Sequence, residues 1–162
     1  MAAAKKERLT AEGESEKYLY FVLSGVQRVY FRDTQDREAT LVFTYAPSFG
    51  GVLDSMLLES ESRYNYETIT RSEFLRAPYS EIKRLMSEHQ NINALIFKGT
   101  SYALAGILER MVELQCYSSE EKFKKMLTRS PHILQQVPHK YLANYLGIDA
   151  TNFSKFINRI VI

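Results

Sequence analysis

Near Pro78 the apolar residues change period, and this change divides the 162-residue chain into two kinds of structure. From Lys17 to Pro78 the sequence runs in short bursts, YLYFVLSG, VQRVYFR, ATLVFTYA, YNYETITR and EFLRAP, dominated by Tyr, Phe, Val and Thr. Turn formers separate them at Ser24-Gly25, Asp33 to Asp36, Pro47 to Gly51 and Glu59 to Ser62. Such residues suit a pleated, half-buried surface, and several short strands at even spacing predict an antiparallel sandwich or barrel. From Ser80 onward the spacing is helical: a short helix through Met86, then a long one from about Asn91 to Tyr117.

The long helix carries two apolar faces. Ile92, Ile96, Gly99, Ala103 and Gly106 recur on one, and Leu104, Leu108, Met111 and Gln115 line the other. A helix with two such faces packs on its own domain and on a second copy of itself, and the small residues let the copies approach. The alternative is one amphipathic helix over the sheet, with each glycine costing about 1 kcal/mol relative to Ala.

The last 26 residues, VPHKYLANYLGIDATNFSKFINRIVI, have the spacing of a helix-turn-helix. Two helices crossing steeply need a small residue where they meet, here Ala143, and a residue tolerant of positive φ in the turn, here Gly147. Leu142, Leu146 and Ile148 supply the inner face of the first helix and the turn; Phe153, Phe156, Ile157 and Ile160 supply that of the second. Asp149 stands where its carboxylate caps the second helix. The opposite face holds Thr151, Asn152, Ser154, Lys155, Asn158 and Arg159. Amides can pair with adenine, Lys can reach guanine acceptors, and hydroxyls or Arg can hold phosphates. The competing reading is a solvated charged face.

Composition narrows the classes. An apolar fraction of 45% is that of a globular domain, and the net charge of +2 gives no global basic field. Cations do gather late, at Lys122, Lys124, Lys125, Arg129, Lys140, Lys155 and Arg159. The single cysteine, Cys116, precludes an internal disulfide and a thiolate cluster, and His89, His132 and His139 are scattered, so no metal or other cofactor is expected. No apolar run resembles a signal peptide or a membrane span, and the expected location is the cytoplasm. No nucleophile–base spacing or Gly-rich phosphate loop with Lys-Ser/Thr is present, and Met1 to Pro78 contain no His for a cupin-like metal site. An enzyme is not expected.

The order of small barrel, long helix and helix-turn-helix resembles the Crp/Fnr family of bacterial transcription regulators. Residues 9–25, LTAEGESEKYLYFVLSG, look like that family's early barrel strands, with Gly13 and Gly25 matching its glycines. FTYAPSFGGVLD, residues 43–54, is similar to its phosphate cassette, and VPHKYLANYLGIDATNFSKF resembles its DNA-binding helices. The resemblance implies an α+β fold: a double-stranded β-helix, jelly-roll-like barrel sensor over residues 1–89, a dimerisation helix over 90–117, and a winged-helix-type DNA-binding domain over 118–162. It implies a homodimer on double-stranded DNA, a small-molecule effector and contact with RNA polymerase. It also implies a strand or helix before the first barrel strands and a wing after the recognition helix; the sequence stops at Ile162, where a wing would start.

On this resemblance base reading falls to Thr151, Asn152 and Lys155, and backbone contact to His139, Lys140, Ser154, Asn158 and Arg159. The effector site falls to Phe49, Gly50, Gly51, Val52, Ser62, Arg63 and Tyr64. Cyclic-nucleotide binders carry Phe-Gly-Glu in the cassette; here Phe49 and Gly50 match but Gly51 takes the Glu position, and Arg63 follows rather than precedes its hydroxyl neighbour Ser62. Losing that carboxylate removes a hydrogen bond worth about 1.5–3 kcal/mol, which points away from cyclic AMP. Gly50-Gly51 is either a backbone nest for an anion or simply a tight turn. The rival function is a ligand-binding or protein-interaction module whose helix-turn-helix no longer binds DNA.

Overall fold

Along the first long strand Tyr18, Tyr20 and Val22 turn toward the core while Leu19, Phe21 and Leu23 turn outward, the period-two pattern of a sheet with one covered face. The computed structural model describes residues 1–159. They form two units, Met1–Ser80 and the chain from Glu81 onward.

The first unit contains β1 (Ala2–Ala3), β2 (Arg8–Thr10), β3 (Tyr18–Ser24), β4 (Val26–Arg32), β5 (Glu38–Tyr45), β6 (Ser48–Gly50), α1 (Leu53–Leu58), β7 (Asn65–Thr68) and β8 (Ser72–Pro78). The strands make two antiparallel four-stranded sheets, ordered β1-β8-β3-β6 and β2-β7-β4-β5. Ala3, Tyr20, Val22 and Phe74 from one sheet meet Val29 and Tyr66 from the other, with Val52 between them. The Tyr20 ring lies 5.7 Å from Tyr66 and 5.4 Å from Phe74. Full burial of such side chains is worth about 1.5–3 kcal/mol each.

The expected closed barrel does not form. Among the described residues no ladder joins the two sheets, and the margins of the first sheet are short: β1 has 2 residues and β6 has 3 before the chain leaves the sheet to begin α1. The sheets are a sandwich.

On the other face of β4 from Val29, the Arg28 guanidinium is only 2% exposed. Its Nε donates to Glu67 Oε1 at 2.7 Å, its Nη2 lies 2.8 Å from Glu38 Oε2, and its carbon sits 3.9 Å over the Tyr30 ring. Burial alone would raise the Glu38 carboxyl; the hydrogen bonds from Arg32 and Arg28 outweigh it and hold it below its ordinary value.

The second unit holds most of α2 (Tyr79–Glu88), then α3 (Gln90–Cys116), α4 (Ser119–Arg129), α5 (Ile133–Gln136), α6 (His139–Leu146) and α7 (Ala150–Arg159). A capping box opens α4: the Ser118 hydroxyl accepts the Glu121 amide, and the Glu121 carboxylate accepts the Ser118 amide at 2.8 Å. At the end of α3 the buried Glu113 carboxylate takes Arg110 at 2.9 Å and Arg129 of α4, while Arg110 also donates to the Tyr145 carbonyl of α6. Four charged or polar groups thereby tie three helices together. The rest of α3 is different: Phe97, Tyr102, Leu104, Leu108 and Met111 are exposed, and the first predicted face is covered only partly, with Ile92, Ile96 and Ala103 half-buried.

Candidate functional site

The segment before α1 gathers the sequence-predicted effector residues unevenly. Phe49 points outward, its ring 5.4 Å from Phe21 on the solvent face of the sheet. Val52 is buried in the core. Gly50 sits so close to Tyr66 that a Cβ there would lie 2.2 Å from the phenol oxygen, so only glycine fits. The Tyr66 hydroxyl is bonded by the Gly51 backbone and lies 3.1 Å from Thr44 Oγ1, which donates to Gln27 Oε1 at 2.8 Å.

Ser62, Arg63 and Tyr64 follow α1. The Ser62 hydroxyl is buried and held by the Tyr64 backbone, donating at 2.7 Å and accepting at 2.9 Å. Arg63 is exposed and has no hydrogen-bond or ion-pair partner among the described residues. Tyr64 is half-buried against the core.

The residue that the sequence reading missed is Glu16. It is 5% exposed, and its Oε2 accepts the Thr10 hydroxyl at 2.6 Å and the Val52 amide at 3.3 Å, while Oε1 accepts the Tyr18 amide at 3.1 Å. Its own amide donates to Ser55 Oγ at 3.0 Å. The period-two phase Glu16, Tyr18, Tyr20, Val22 was the signal: a charged residue continuing the inward face of a strand. On the same face Arg76 pairs in register with Tyr20, and its guanidinium lies 4.3 Å over the Tyr18 ring. Burial pushes the Tyr20 phenol well above its ordinary range and the Glu16 charge pushes it further, against the nearby Arg76.

The terminal helices form the second candidate surface. Gly147 adopts φ 64°, and the Ile148 amide reaches back to the Ala143 carbonyl at 3.1 Å, a left-handed helix end that a side chain would strain. Asp149 caps α7, accepting the Asn152 amide at 2.9 Å, and this backbone hydrogen bond leads the causes that hold its carboxyl below the usual value. Phe153, 1% exposed, packs edge-on against Phe123 at 5.3 Å, and Phe156 lies 5.7 Å from Phe123. Of the predicted apolar stripe, Ile160 lies outside the described residues.

Opposite that stripe Thr151, Ser154, Lys155, Asn158 and Arg159 are all exposed on one side of α7. Asn152 differs: it is half-buried and its side-chain nitrogen donates to Asp149 Oδ2 at 2.5 Å. The Ser154 hydroxyl donates back to the Ala150 carbonyl at 2.9 Å. His139 and Lys140 are exposed in the first turn of α6, with His139 5.5 Å from the Phe153 ring. No helix among the described residues is long and apolar enough to cross a membrane.

Several solved structures of bacterial regulators share this fold. FixK2 from Bradyrhizobium japonicum superposes with a TM-score of 0.87 at 17% identity, covering 99% of this chain and 82% of its own. A CRP-family transcriptional regulator from Thermus thermophilus gives 0.74 at 18% identity, over 99% and 83% of the two chains. The regulator CLP of Xanthomonas campestris, described as responsive to c-di-GMP, gives 0.68 at 16% identity over 99% and 84%. At these identities the likeness is one of fold. No curated protein matches by sequence. The cyclic nucleotide-binding domain model matches residues 2–89, more than half of the sequence, and the chain therefore belongs to the cyclic nucleotide-binding domain family.

Proposed function

We propose that the protein is a sequence-specific DNA-binding transcription regulator of the Crp/Fnr type that acts as a homodimer. The observation that carries this is the division of α7 into a buried aromatic stripe and an exposed ridge of Thr151, Ser154, Lys155, Asn158 and Arg159. A ridge of hydrogen-bonding side chains on a short helix, held by a Gly-turn to a second helix, suits a major groove. Three parts follow: residues 1–89 as sensor, 90–117 as dimerisation helix, and 118–162 as DNA-binding domain.

Support for the second copy comes from α3, whose exposed Leu104, Leu108 and Met111 repeat at helical spacing. A two-fold axis along such helices carries two α7 ridges to half-sites one DNA turn apart. Glu113, bonded to Arg110 and Arg129, supports the transmission of a tilt in α3 to the helices that follow it. An effector acts on such a dimer by favouring one of two pre-existing arrangements, and RNA polymerase is the partner such a regulator meets on DNA.

Within the ridge we assign base contact to Thr151 and Lys155, and to Asn152 when its amide leaves Asp149. His139, Lys140, Ser154, Asn158 and Arg159 hold the backbone. Selection of a preferred site from random duplexes, followed by titration of Lys155→Ala, tests the assignment. The expected result is a loss of about 1–3 kcal/mol on the selected site and little on random DNA. Equal losses on both identify a phosphate contact, and absence of any selected sequence returns the protein-interaction reading.

A further inference from the structure

Residues 50–52 form the turn that the family resemblance marks for a phosphate, yet the groups that would greet an anion there already have partners. The Val52 amide donates to Glu16 Oε2 at 3.3 Å, and the Gly51 backbone bonds the Tyr66 phenol. A Cβ built on Gly51 would lie 3.5 Å from Glu16 Oε2, so the carboxylate rests against the turn itself. Tyr66 fills the space beside Gly50, and the tilted rings of Tyr18, Tyr20 and Tyr66 continue inward.

A buried carboxylate is tolerated only where several donors meet it. Here the Thr10 hydroxyl and the Tyr18 and Val52 amides do so from three separate places in the chain, while Ser55 of α1 fixes the Glu16 backbone. The turn therefore faces an anion supplied by the protein. A phosphate brought to the same amides would stand a few ångströms from a like charge in a poorly screened interior, and would have to displace the bonds that satisfy that charge.

We propose that Glu16 is the resident anion of this turn and keeps the phosphate of a cyclic nucleotide out of it. The inference rests on residues 2–89 being a cyclic nucleotide-binding domain and is independent of DNA binding, since its assay contains no DNA. With Glu16 removed, the vacated amides and the Thr10 hydroxyl become a site for a small anion of carboxylate or phosphate type.

The test is thermal unfolding of the full chain, wild type and Glu16→Ala, with cyclic AMP, and with acetate against chloride at equal ionic strength. The wild type is expected to show no rise in Tm with millimolar cyclic AMP or with acetate. Glu16→Ala is expected to unfold lower and to recover about 2–5 °C in acetate but not in chloride, the rise that a bound ligand produces. A wild type stabilised by cyclic AMP overturns the proposal, as does a folded Glu16→Ala indifferent to acetate. Where Glu16→Ala does not fold, the Gly51 and Val52 amide resonances of the wild type decide. Their remaining in place on addition of cyclic AMP is expected, and a saturable shift of both overturns it.

Discussion

The two units of this molecule treat their polar groups in opposite ways. In the sheet unit Arg28, Glu67, Gln27, Thr44 and Glu16 are buried and bonded to one another or to the backbone. In the helical unit the ridge of α7 lies in solvent, and so does the apolar length of α3. Interior polar networks fix a unique arrangement at the cost of openness, whereas exposed ridges and apolar faces have their partners elsewhere. The difference separates a unit whose polar groups are satisfied internally from one that presents hydrogen-bonding and apolar surface to solvent.

The largest expected effect breaks the closed side. Arg28→Ala leaves Glu67 without its cation and Glu38 with Arg32 alone, and urea unfolding followed by tyrosine fluorescence should record a loss of about 3–5 kcal/mol. A loss below about 1 kcal/mol means that the network contributes little to the sheet unit.

Glu113→Gln probes the most deeply buried charge among the described residues of the helical unit. It keeps the shape but weakens the bonds to Arg110 and Arg129, and should cost about 1.5–3 kcal/mol of helical stability by circular dichroism. The same change should weaken DNA binding without altering which sequence is selected, because Glu113 sets the posture of the ridge and does not belong to it.

A smaller effect belongs to the turn. Gly147→Ala meets only ordinary contact with Leu114 at 3.5 Å, so its cost comes from the positive φ alone, about 1 kcal/mol. A neutral outcome indicates that the turn adjusts freely.

The smallest is a pH effect at Asp149. The backbone amide of Asn152 holds this carboxyl below its usual value, so the cap is fully present above the ordinary aspartate range and is lost as pH falls through the lowered value. Helix content should decline below about pH 4, and Asp149→Asn should flatten that decline. An unchanged profile removes Asp149 from the capping role.

Much of this comparison was legible from residue order. Aromatic and β-branched bursts gave β3, β4, β5 and β8 within a residue at each end and β7 with an overrun of three residues, and helical spacing gave α3 within a residue at each end. Gly147 and Asp149 took the turn and cap positions that their chemistry predicts. The shortest strands, β1, β2 and β6, were not legible, because two or three residues carry no period and owe their conformation to the strand beside them. At the candidate sites the side chains of Phe49 and Asn152 are engaged by near neighbours, Phe21 and Asp149, which spacing alone does not foresee. Glu16 escaped notice although it stands in phase with Tyr18 and Tyr20, since a charge at the start of a strand ordinarily reads as a solvated end.

Entry of the α7 ridge into DNA is tested most directly by equilibrium binding of the full chain to a fluorescent pool of random duplexes across a salt series. The predicted result is a log affinity that falls linearly with log salt concentration, with a slope reflecting several displaced counterions, as Lys140 and Arg159 of each protomer meet phosphates. A slope near zero, or no binding at low salt, contradicts it.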